Sequence, residues 1–534
     1  LFVVFISLIS NSQESRVNEI IKITIEKGKK TNTIAAGGIV LFSQGVLPEF
    51  YEQTEYQQAW SDPENVKELL FNLNDSYNEG LTPDDYHLLH INKLIQETQT
   101  DKDPQKLAYI DLLMTDAALL YASDLILGKV DQSKIRVGWD VAQNNLPEDS
   151  ESILKNAIDN NKVTETFASL KPDHFMYTHL RNGLRMYREI QKNGGWPGVP
   201  DGQVLKLGVT DSRVKILRSY FEITGDLSAY LISENDSLFD DNVEKAVKRF
   251  QLRHNLNQDG IVGKGTLAII NVTIEQRIND IRVNMERARW VIHHLPDDFL
   301  IVNIAGFNVR RIIGDSIVFY SRVIVGKHYH ESPIFDGKIT YIELNPTWTL
   351  PYSIAIKETL PKIKKNPNYL SEKHMIVLDR SGNELDPSSI DFNSLSGKNF
   401  PYTFRQKAGP HNALGQVKFM FPNKYAVYLH DTPSRSLFSR EKRAFSHGCI
   451  RLDRKWELFL NLMGDDWNME RIDKIVKSEK TTIVKLKKPI EIILLYWTAG
   501  ADRQDNLYFN EDVYDRDNAV LEQLNKPHSF KKVF

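Results

Sequence analysis

The sequence predicts an α+β chain of several domains, in which helical regions are followed by a mainly β region. Its 534 residues exceed what one hydrophobic core supports, since a domain usually contains ~100 to 200 residues. Up to about residue 273, apolar residues recur at three- and four-residue spacings, as on the buried face of a helix. After Asp297 the pattern changes to short β-branched and aromatic runs separated by turn residues, which is typical of strands.

Composition and charge are those of a folded globular protein and argue against a general attraction to nucleic acids. Hydrophobic residues make up 41% and charged residues 26% of the chain, so disorder is not expected. The 67 Lys and Arg residues are balanced by 70 Asp and Glu residues, which gives a formal net charge of −3. We therefore predict no nucleic-acid partner.

The N-terminal segment has the features of an export signal. Residues 1–9 (LFVVFISLI) form an apolar run of signal-peptide length, and small and polar residues follow at 10–13. We predict that residues 1–20 are a signal or anchor remnant, with a buried N-terminal strand as the alternative. No later run reaches the ~20 apolar residues that span a bilayer. The prediction is therefore an exported, periplasmic protein whose membrane association would run through the N-terminus alone.

Residues 47–200 are predicted to form a helical domain. A turn at 78–83 (NEGLTP) interrupts the helical pattern, and a longer amphipathic run follows at 107–127. A segment rich in glycine and proline, 194–202 (GGWPGVPDG), marks the end of this domain. No motif within it points to chemistry.

Residues 206–273 are predicted to form a small unit of two or three short helices. Two segments, AVKRFQ at 246–251 and NLNQDGIVGKGT at 255–266, resemble the type 1 peptidoglycan-binding repeat of cell-wall enzymes. In that repeat the DGxVGxxT loop closes a three-helix unit. The alternative is a generic helical linker domain with a tight Asp-Gly turn.

Residues 297–500 are predicted to form the mainly β domain. The strand-like runs lie at 299–304, 309–313, 317–325, 339–344, 417–421, 425–429 and 483–486. Residues 351–405 break this rhythm with a helical stretch and polar loops, so we interpret them as an insertion that caps the sheet and controls substrate entry. Residues 501–534 are predicted to be a C-terminal extension.

Cys449 is the only cysteine, so it cannot form an internal disulfide. An isolated cysteine is often a small buried hydrophobe, and its neighbours decide whether it is a nucleophile. A thiol attacks a carbonyl as thiolate, and at its ordinary pKa of ~8.5 it needs a base near neutral pH. His430 ends a strand and arrives from another element, whereas His447 lies on the same tight turn and is poorly placed. We predict Cys449 as nucleophile and His430 as general base.

Further residues complete a predicted acyl-transfer site. Asp431, through its backbone carbonyl or its carboxylate, would hold the second ring nitrogen of the histidine base. The backbone N–H groups of Gly448 and Cys449 are predicted to bind the oxyanion, where loss of one donor costs ~2.7 to 4 kcal/mol. Arg451 would bind a carboxylate by two parallel hydrogen bonds, with a structural ion pair as the open alternative.

The segment SHGCIR at 446–451, with a histidine upstream at a strand end, resembles the signature of the YkuD-type L,D-transpeptidase catalytic domain. Further similarity to the large YcbB-like subfamily occurs at 341–348 (YIELNPTW), 412–419 (NALGQVKF), 421–423 (FPN) and 429–433 (LHDTP). In that subfamily one chain combines a helical scaffold domain, a peptidoglycan-binding domain and a catalytic domain with a capping insertion. The domain order predicted above is the same.

The resemblance implies a reaction and its partners. Cys449 would attack the carbonyl of the third residue of a tetrapeptide stem, expel D-alanine and form a thioester. The side-chain amine of a second stem would then give a 3,3 cross-link, so peptidoglycan stems are donor and acceptor, with water or a free D-amino acid as competitors. Asp431 would act through its carbonyl, and Ser446 and His447 would lie on the substrate side. The implied chemistry uses no cofactor and no metal, and carbapenems would acylate Cys449.

Three other interpretations fit parts of the same pattern. A zinc site at His430, His447 and Cys449 is disfavoured because no HExxH or CxxC spacing accompanies it. A wall-binding scaffold without catalysis is disfavoured by the intact histidine and cysteine. A serine enzyme, suggested by SREK at 439–442, lacks the partner motifs SDN and KTG.

Two basic residues, Arg454 and Lys455, follow the SHGCIR segment closely. They fit either a solvated surface or the rim of a substrate site. We predict that both residues lie on a solvated surface, and we assign neither of them a function.

Overall fold

The computed structural model describes residues 11–135, 139–141, 145–228 and 235–528. These residues form two compact units. The first unit contains the described residues of 1–137, 142–295 and 497–534, and the second contains those of 138–141 and 296–496. The chain thus returns to the first unit after it has completed the second.

Helices build the N-terminal part of the first unit, where the sequence has its helical periodicity. These helices are α1 (Asn11–Thr31), α2 (Leu47–Gln53), α3 (Pro63–Asp75), α4 (Leu88–Thr98), α5 (Pro104–Leu127), α6 (Ser150–Asp159), α7 (Val163–Leu170) and α8 (Phe175–Lys192). A short hairpin of β1 (Ala35–Ala36) and β2 (Ile39–Val40) lies between α1 and α2. The predicted helical domain is confirmed.

Helix α5 is the centre of this region because it is apolar on nearly all sides. Asp103 caps its N-terminus through a hydrogen bond to a backbone N–H, and Pro104 occupies its first position. Sixteen of its 24 residues are buried, as expected for a helix enclosed by others. The buried Asp111 among them accepts a hydrogen bond from the Tyr51 hydroxyl at 2.7 Å. Its polar group is therefore satisfied inside the core.

The helical region begins with helix α1, ahead of residue 47. The first half of α1 is formed by residues 11–20, the last part of the segment predicted as a signal or anchor remnant, and that prediction stays untested. Val17, Ile21 and Ile25 recur every four residues and are fully buried in the core that includes α5. Residues 1–10, which carry most of the predicted remnant, lie outside the described residues. In the part of the chain that the structure describes, no helix has both the length and the apolar composition to cross a membrane.

The small central unit consists of three helices, as predicted. They are α9 (Ser212–Ile223), α10 (Asp241–Arg253) and α11 (Lys264–Ile270), and α12 (Ile274–Arg289) follows them. The Asp-Gly loop closes on α10, because Gln251 donates to Asp259 Oδ1 at 2.7 Å and accepts from Gly260 N–H at 2.9 Å. Gly260 has a φ of +73°, and a Cβ there would lie 2.7 Å from Glu244 Cγ, so the turn requires glycine.

Strands build most of the second unit, in agreement with the change in periodicity. They are β3 (Trp139–Asp140), β4 (Asp298–Asn303), β5 (Asn308–Ile313), β6 (Ser316–Gly326), β7 (Ile334–Leu344), β8 (Trp348–Thr349), β9 (Met375–Leu378), β10 (Glu384–Leu385), β11 (Thr403–Gln406), β12 (Val417–Met420), β13 (Leu429–His430), β14 (Ala444–Ser446), β15 (Ile450–Leu452) and β16 (Thr482–Leu495). The helices are α13 (Tyr352–Ile354), α14 (Leu360–Lys365), α15 (Tyr369–Glu372), α16 (Lys455–Met463) and α17 (Met469–Lys477). A π-helical turn at 355–359 joins α13 to α14.

Eight of these strands pair in a closed ring. Their order is β12, β13, β15, β6, β5, β4, β16 and β7, and β7 pairs with β12 to complete the ring. Neighbours are antiparallel except at β13–β15 and β4–β16, which are parallel. Closure gives every strand of the ring two neighbours, so none of them is an open edge. The predicted mainly β domain is confirmed.

A small domain, called here the cap (residues 348–406), lies between β7 and β12. Its four strands have the order β10, β9, β11, β8. The first and last strands of the cap, β8 and β11, pair with each other, so the chain enters and leaves the cap on neighbouring strands. Its own apolar core is formed by Leu350, Ala355, Leu360, Ile363, Leu370, Val377, Phe400 and Phe404. The predicted capping insertion is confirmed, and these two strands extend it beyond the predicted bounds of 351–405.

The C-terminal segment, predicted as an extension at 501–534, packs within the first unit. It contributes β17 (Ala499–Ala501), β18 (Leu507–Phe509) and α18 (Asp517–Asn525). Asp517 pairs with Arg287 of α12 at 2.6 Å and accepts from the Thr498 hydroxyl at 2.7 Å. All three residues are buried, so the described part of this segment belongs to the core of the first unit.

We expect Phe404→Ala to loosen the cap without unfolding the strand ring. Phe404 is fully buried in the cap core, and a core Phe→Ala change costs ~3 to 5 kcal/mol. Hydrogen–deuterium exchange followed by peptide mass spectrometry should become faster in residues 348–406 and stay unchanged in β4 to β6. Lys398→Ala, at an exposed position of the same cap, should change neither region. Faster exchange throughout the second unit would contradict an independent cap core.

Candidate active site

Strands β13 and β15 bring the predicted site residues together. The two strands are parallel neighbours, with His430 opposite Arg451. Side chains alternate between the two faces of a strand, so residues two positions apart share a face. Tyr428 and His430 therefore lie on the same face as Cys449 and Arg451.

A pocket of about 450 Å³ is lined by all four of these side chains. Eleven of its 23 lining residues belong to the cap, including Lys357, Glu358 and Lys362. The cap therefore supplies about half of the lining residues of this pocket.

The Cys449 thiol is half-buried and is hydrogen-bonded by its neighbours. Its Sγ donates a weak hydrogen bond to the carbonyl oxygen of Ala426 at 3.8 Å, and the N–H and the hydroxyl of Tyr428 are close enough to lower the pKa of the thiol. Burial raises the pKa of the thiol, although Tyr428 and the positive charges of Lys418 and Arg451 act in the opposite direction. The group is therefore a neutral thiol near neutral pH and needs a proton acceptor before it can react.

The His430 imidazole is buried and oriented by a backbone carbonyl. Its Nδ1 lies 2.5 Å from the carbonyl oxygen of Asp431. A carbonyl can only accept, so Nδ1 carries the proton and Nε2 keeps a lone pair in the neutral ring. Burial lowers the pKa of His430 to about 3, helped by the charges of Arg451 and Lys418, while the carbonyls of Asp431 and Leu414 oppose this shift. The imidazole is neutral at pH 7 and can accept a proton.

The thiol and the imidazole share the pocket without a direct hydrogen bond. Among the described residues, the thiol is bonded to Tyr428 and Ala426, and the imidazole is bonded to backbone carbonyls. Catalytic hydrogen bonds are often long or misaligned before substrate binds. A direct hydrogen bond between Cys449 and His430 would therefore require a change in side-chain position.

Ser446 holds the turn that precedes Cys449. Its hydroxyl donates to the carbonyl of Cys449 at 2.6 Å and accepts from the N–H of Gly448 at 3.1 Å. Gly448 has a φ of +112°, and its carbonyl accepts from the Ser332 hydroxyl at 2.8 Å. The Gly448 N–H is thus bonded inside the turn, and its oxyanion role, which stays a prediction, would require this N–H to leave the Ser446 hydroxyl. The Ser446 hydroxyl, predicted on the substrate side, is occupied in the same turn.

His447 faces the cap rather than the nucleophile. Its Nε2 is 2.6 Å from Glu358 Oε1, and its ring centre is 5.1 Å from that of His330. All three residues line the pocket. His447 therefore joins the turn that precedes Cys449 to the cap on the pocket wall, and its predicted role in binding substrate stays a prediction.

Arg451 has no carboxylate partner among the residues that the structure describes. Its Nε is buried and has no hydrogen-bond partner, and burial lowers the pKa of the guanidinium, with the Cys449 sulfur acting in the opposite direction. The alternative of a structural ion pair is therefore not supported. A largely buried cation without an anion favours binding of an anionic group in the pocket.

Tyr428 was missed in the sequence analysis, although a signal for it exists. It lies two residues before His430 on an extended segment, so the two-residue period places both on one face. Burial, followed by the nearby Cys449, raises the pKa of its hydroxyl, which is therefore a donor at neutral pH. Lys418, with its Nζ 4.1 Å from the Tyr428 ring centre, comes from β12, and no local pattern identifies it.

The two basic residues after the SHGCIR segment have different environments. Arg454 is about half exposed and pairs with Glu457, as expected for a solvated surface. The Lys455 side chain is only 15% exposed and pairs with the buried Asp431 carboxylate. The prediction of a solvated surface is wrong for Lys455, because β13 places a carboxylate beside the start of α16.

The alternative zinc site would need the side chains of His430, His447 and Cys449 to converge. His430 Nδ1 is bonded to a backbone carbonyl, and His447 Nε2 is bonded to Glu358. Within the described ranges, no group of three His, Cys, Asp or Glu side chains is arranged to hold a metal ion.

Three protein families match separate parts of the chain. Residues 297–483 match the L,D-transpeptidase catalytic domain. Residues 210–270 match the family described as "Putative peptidoglycan binding domain", and residues 45–184 match the scaffold domain. The first match contains both Cys449 and His430.

Individual proteins are also similar. A "Putative L,D-transpeptidase" from Haemophilus influenzae is 35% identical over 247 residues, which cover 46% of this chain and 49% of that protein. The chain thus spans about half the length of this curated relative. Solved L,D-transpeptidase structures from Xylanimonas cellulosilytica and Stackebrandtia nassauensis are 13% and 14% identical, with TM-scores of 0.19 and 0.22. They cover 55% and 56% of this chain and 99% and 97% of their own.

The three family matches follow one another in the order expected from the resemblance to the large multidomain transpeptidases. The helical region, the three-helix unit and the strand ring occupy the corresponding parts of the fold. Residues 297–483 of this chain thus form an L,D-transpeptidase catalytic domain of the YkuD type, preceded by regions that match a scaffold domain and a putative peptidoglycan-binding domain.

Proposed function

We propose that this chain is a cysteine-dependent L,D-transpeptidase that forms 3,3 cross-links between peptidoglycan stem peptides. One observation supports this most directly: a single pocket contains the lone cysteine Cys449, the neutral imidazole of His430 and the guanidinium of Arg451, which has no anion partner among the residues that the structure describes. These are the nucleophile, base and carboxylate receptor that acyl transfer from a peptide with a free C-terminus requires.

In the first step Cys449 attacks the carbonyl of the third residue of the donor stem. The thiol is protonated at neutral pH, so His430 accepts its proton as the sulfur–carbon bond forms. The Tyr428 hydroxyl, already directed at the sulfur, donates a hydrogen bond to the developing oxyanion. His430 then gives the proton to the leaving amine of D-alanine, and a thioester remains.

In the second step the side-chain amine of an acceptor stem attacks the thioester carbonyl. His430 takes a proton from this amine, the carbon–sulfur bond breaks, and the departing Cys449 sulfur recovers the proton. The product is an amide that links the third residues of two stems. Water or a free D-amino acid at the same position gives carboxypeptidation or exchange.

Arg451 binds the terminal carboxylate of the donor stem in this scheme, and the cap closes over the bound peptide. The peptidoglycan-binding domain brings the enzyme to the wall. Because the substrate is outside the cytoplasmic membrane, we place the protein there as well, in the periplasm.

Incubation with a disaccharide tetrapeptide should leave a covalent adduct on Cys449 and release D-alanine, and a carbapenem should acylate the same residue. Both adducts are detectable by intact-protein and peptide mass spectrometry. Cys449→Ala should abolish them and reduce D-alanine release by at least ~10³-fold, because the nucleophile is lost. Full turnover in this variant, or no adduct from either compound, would favour a wall-binding scaffold instead.

The kcat/KM for D-alanine release should change by less than about threefold between about pH 5 and 8. An imidazole with an ordinary pKa of ~6.5 would be mostly protonated at about pH 5 and would lose base activity ~30-fold. Burial lowers the pKa of His430 to about 3, so the neutral base persists throughout this range. A fall toward acid pH with a midpoint near ~6.5 would contradict a buried, neutral base.

Arg451→Gln should lower kcat/KM ~10- to 100-fold for a tetrapeptide with a free C-terminus, which corresponds to the ~1.5 to 3 kcal/mol of a hydrogen bond to a charged group. The comparison substrate is the same peptide with an amidated C-terminus. It should react slowly and at similar rates with the wild type and the variant, because it has no carboxylate for Arg451 to bind. An equal loss for both substrates would show that Arg451 acts on the fold or on the thiol.

A further inference from the structure

The carboxylate of Asp431 is buried and held from several sides. The residue is 2% exposed, and its Oδ2 accepts from the Lys455 ammonium and, at 2.9 Å, from the N–H of Gln416. Arg435 Nη1 lies 3.5 Å from the other oxygen. A buried carboxylate needs such partners, because an unpaired charge in a low-dielectric site is strongly destabilised.

Lys455 is the main counter-charge of this carboxylate. Its side chain is 15% exposed, and its ammonium also donates to Gln416 Oε1 at 2.9 Å. Burial lowers the pKa of Lys455, and the pair with Asp431 acts in the opposite direction. Arg435, by contrast, is 46% exposed and lies closer to Asp453, at 2.5 Å. Without Lys455, Asp431 would keep only a more distant and solvated cation.

Gly415 closes another side of the carboxylate. Its φ is +64°, and a Cβ at this position would lie 2.2 Å from Asp431 Oδ2. The carboxylate therefore packs directly on the Gly415 backbone and cannot move in that direction. The preceding residue, Leu414, supplies a carbonyl that interacts with His430. One loop thus contacts both the carboxylate and the base.

The backbone of Asp431 contacts the base itself. Its N–H donates to the carbonyl of Val417 at 2.9 Å, and its own carbonyl lies 2.5 Å from His430 Nδ1. The side chain and main chain of one residue therefore connect Lys455 to His430. Lys455 is not among the residues that line the pocket, so it is not in contact with a bound substrate.

We propose that Lys455 is a positioning residue for the His430 base: it anchors the Asp431 carboxylate, so that the Asp431 carbonyl keeps the imidazole in its Nδ1–H tautomer. This proposal rests on the proposed function, because it concerns the base of the same reaction. A role in positioning affects turnover rather than substrate affinity, since Lys455 lies outside the pocket.

Variants of the full chain test this connection through D-alanine release. Lys455→Met removes the counter-charge and should lower kcat ~10- to 100-fold, with KM changed by less than about threefold. Lys455→Arg keeps the charge and should retain most of the activity. In Lys455→Met/Asp431→Asn the unpaired charge is gone and the backbone carbonyl remains, so kcat should recover at least ~fivefold over Lys455→Met. Arg454→Met, at the adjacent exposed position, is the matched control and should behave as wild type.

A spectroscopic measurement separates positioning from general damage to the fold. In protein labelled with ¹⁵N-histidine, the ring nitrogen shifts of His430 report its tautomer, and His430→Asn assigns the signal. The wild type and Arg454→Met should show one Nδ1–H form, whereas Lys455→Met should show a mixture of tautomers. The double variant should return to the Nδ1–H form, with circular dichroism unchanged in all four proteins.

The proposal would be overturned if Lys455→Met kept the kcat and the His430 tautomer of the wild type. It would also be overturned if the loss of activity appeared as a higher KM, or if the double variant had a lower kcat than Lys455→Met. If Lys455→Met does not fold, the double variant tests the proposal in its place. Recovery of folding with the Nδ1–H form supports the connection through the carboxylate, and failure to fold contradicts it. No D-alanine release by the wild type would reject the proposed function alone, because the tautomer comparison still tests Lys455.

Discussion

The parallel pairing of β13 with β15 is the interaction on which the candidate site depends. Because His430 lies opposite Arg451, side-chain alternation places Tyr428 and His430 on the same face as Cys449 and Arg451. The closed ring holds this pair from both sides, with β12 beside β13 and β6 beside β15. A slip of one residue would turn every side chain to the other face, and the ring prevents such a slip. The positions of the site residues are therefore fixed by backbone hydrogen bonds between strands rather than by contacts among the reactive side chains.

Burial then determines the charge state of the two central groups. It raises the pKa of the Cys449 thiol and lowers that of the His430 imidazole, so both are neutral at pH 7. A neutral thiol oxidises more slowly than a thiolate, which suits a lone cysteine in the periplasm proposed above. Arg451 stays charged beside them and contributes to the low pKa of the imidazole. The same guanidinium thus adds to the effect of burial in keeping the imidazole unprotonated, and in the proposed reaction it would bind a substrate carboxylate.

The fold class and the order of its parts could be predicted because hydrophobic periodicity is a local property. The change from helical to strand spacing after Asp297 and the Asp-Gly loop around Gly260 are visible in short windows. Single hydrogen bonds and packing contacts, by contrast, could not be predicted. The Gly448 N–H is bonded to Ser446 within the turn, and the first half of α1 is packed in a core. Both outcomes depend on which partner lies nearest, and residue types do not reveal that.

The sequence alone identified the candidate nucleophile Cys449 and the candidate base His430, because the residue types and their strand-and-turn context point to this chemistry. Only the tertiary structure decided which groups surround them. Lys455 comes from α16 and pairs with Asp431, the residue directly after β13, and Arg451 lies in a pocket whose lining residues come about half from the cap. These contacts join segments distant in sequence, and their geometry depends on how the strand ring and the cap pack. Packing of this kind has no local signal, which is why Lys455 could be misassigned to the solvated surface.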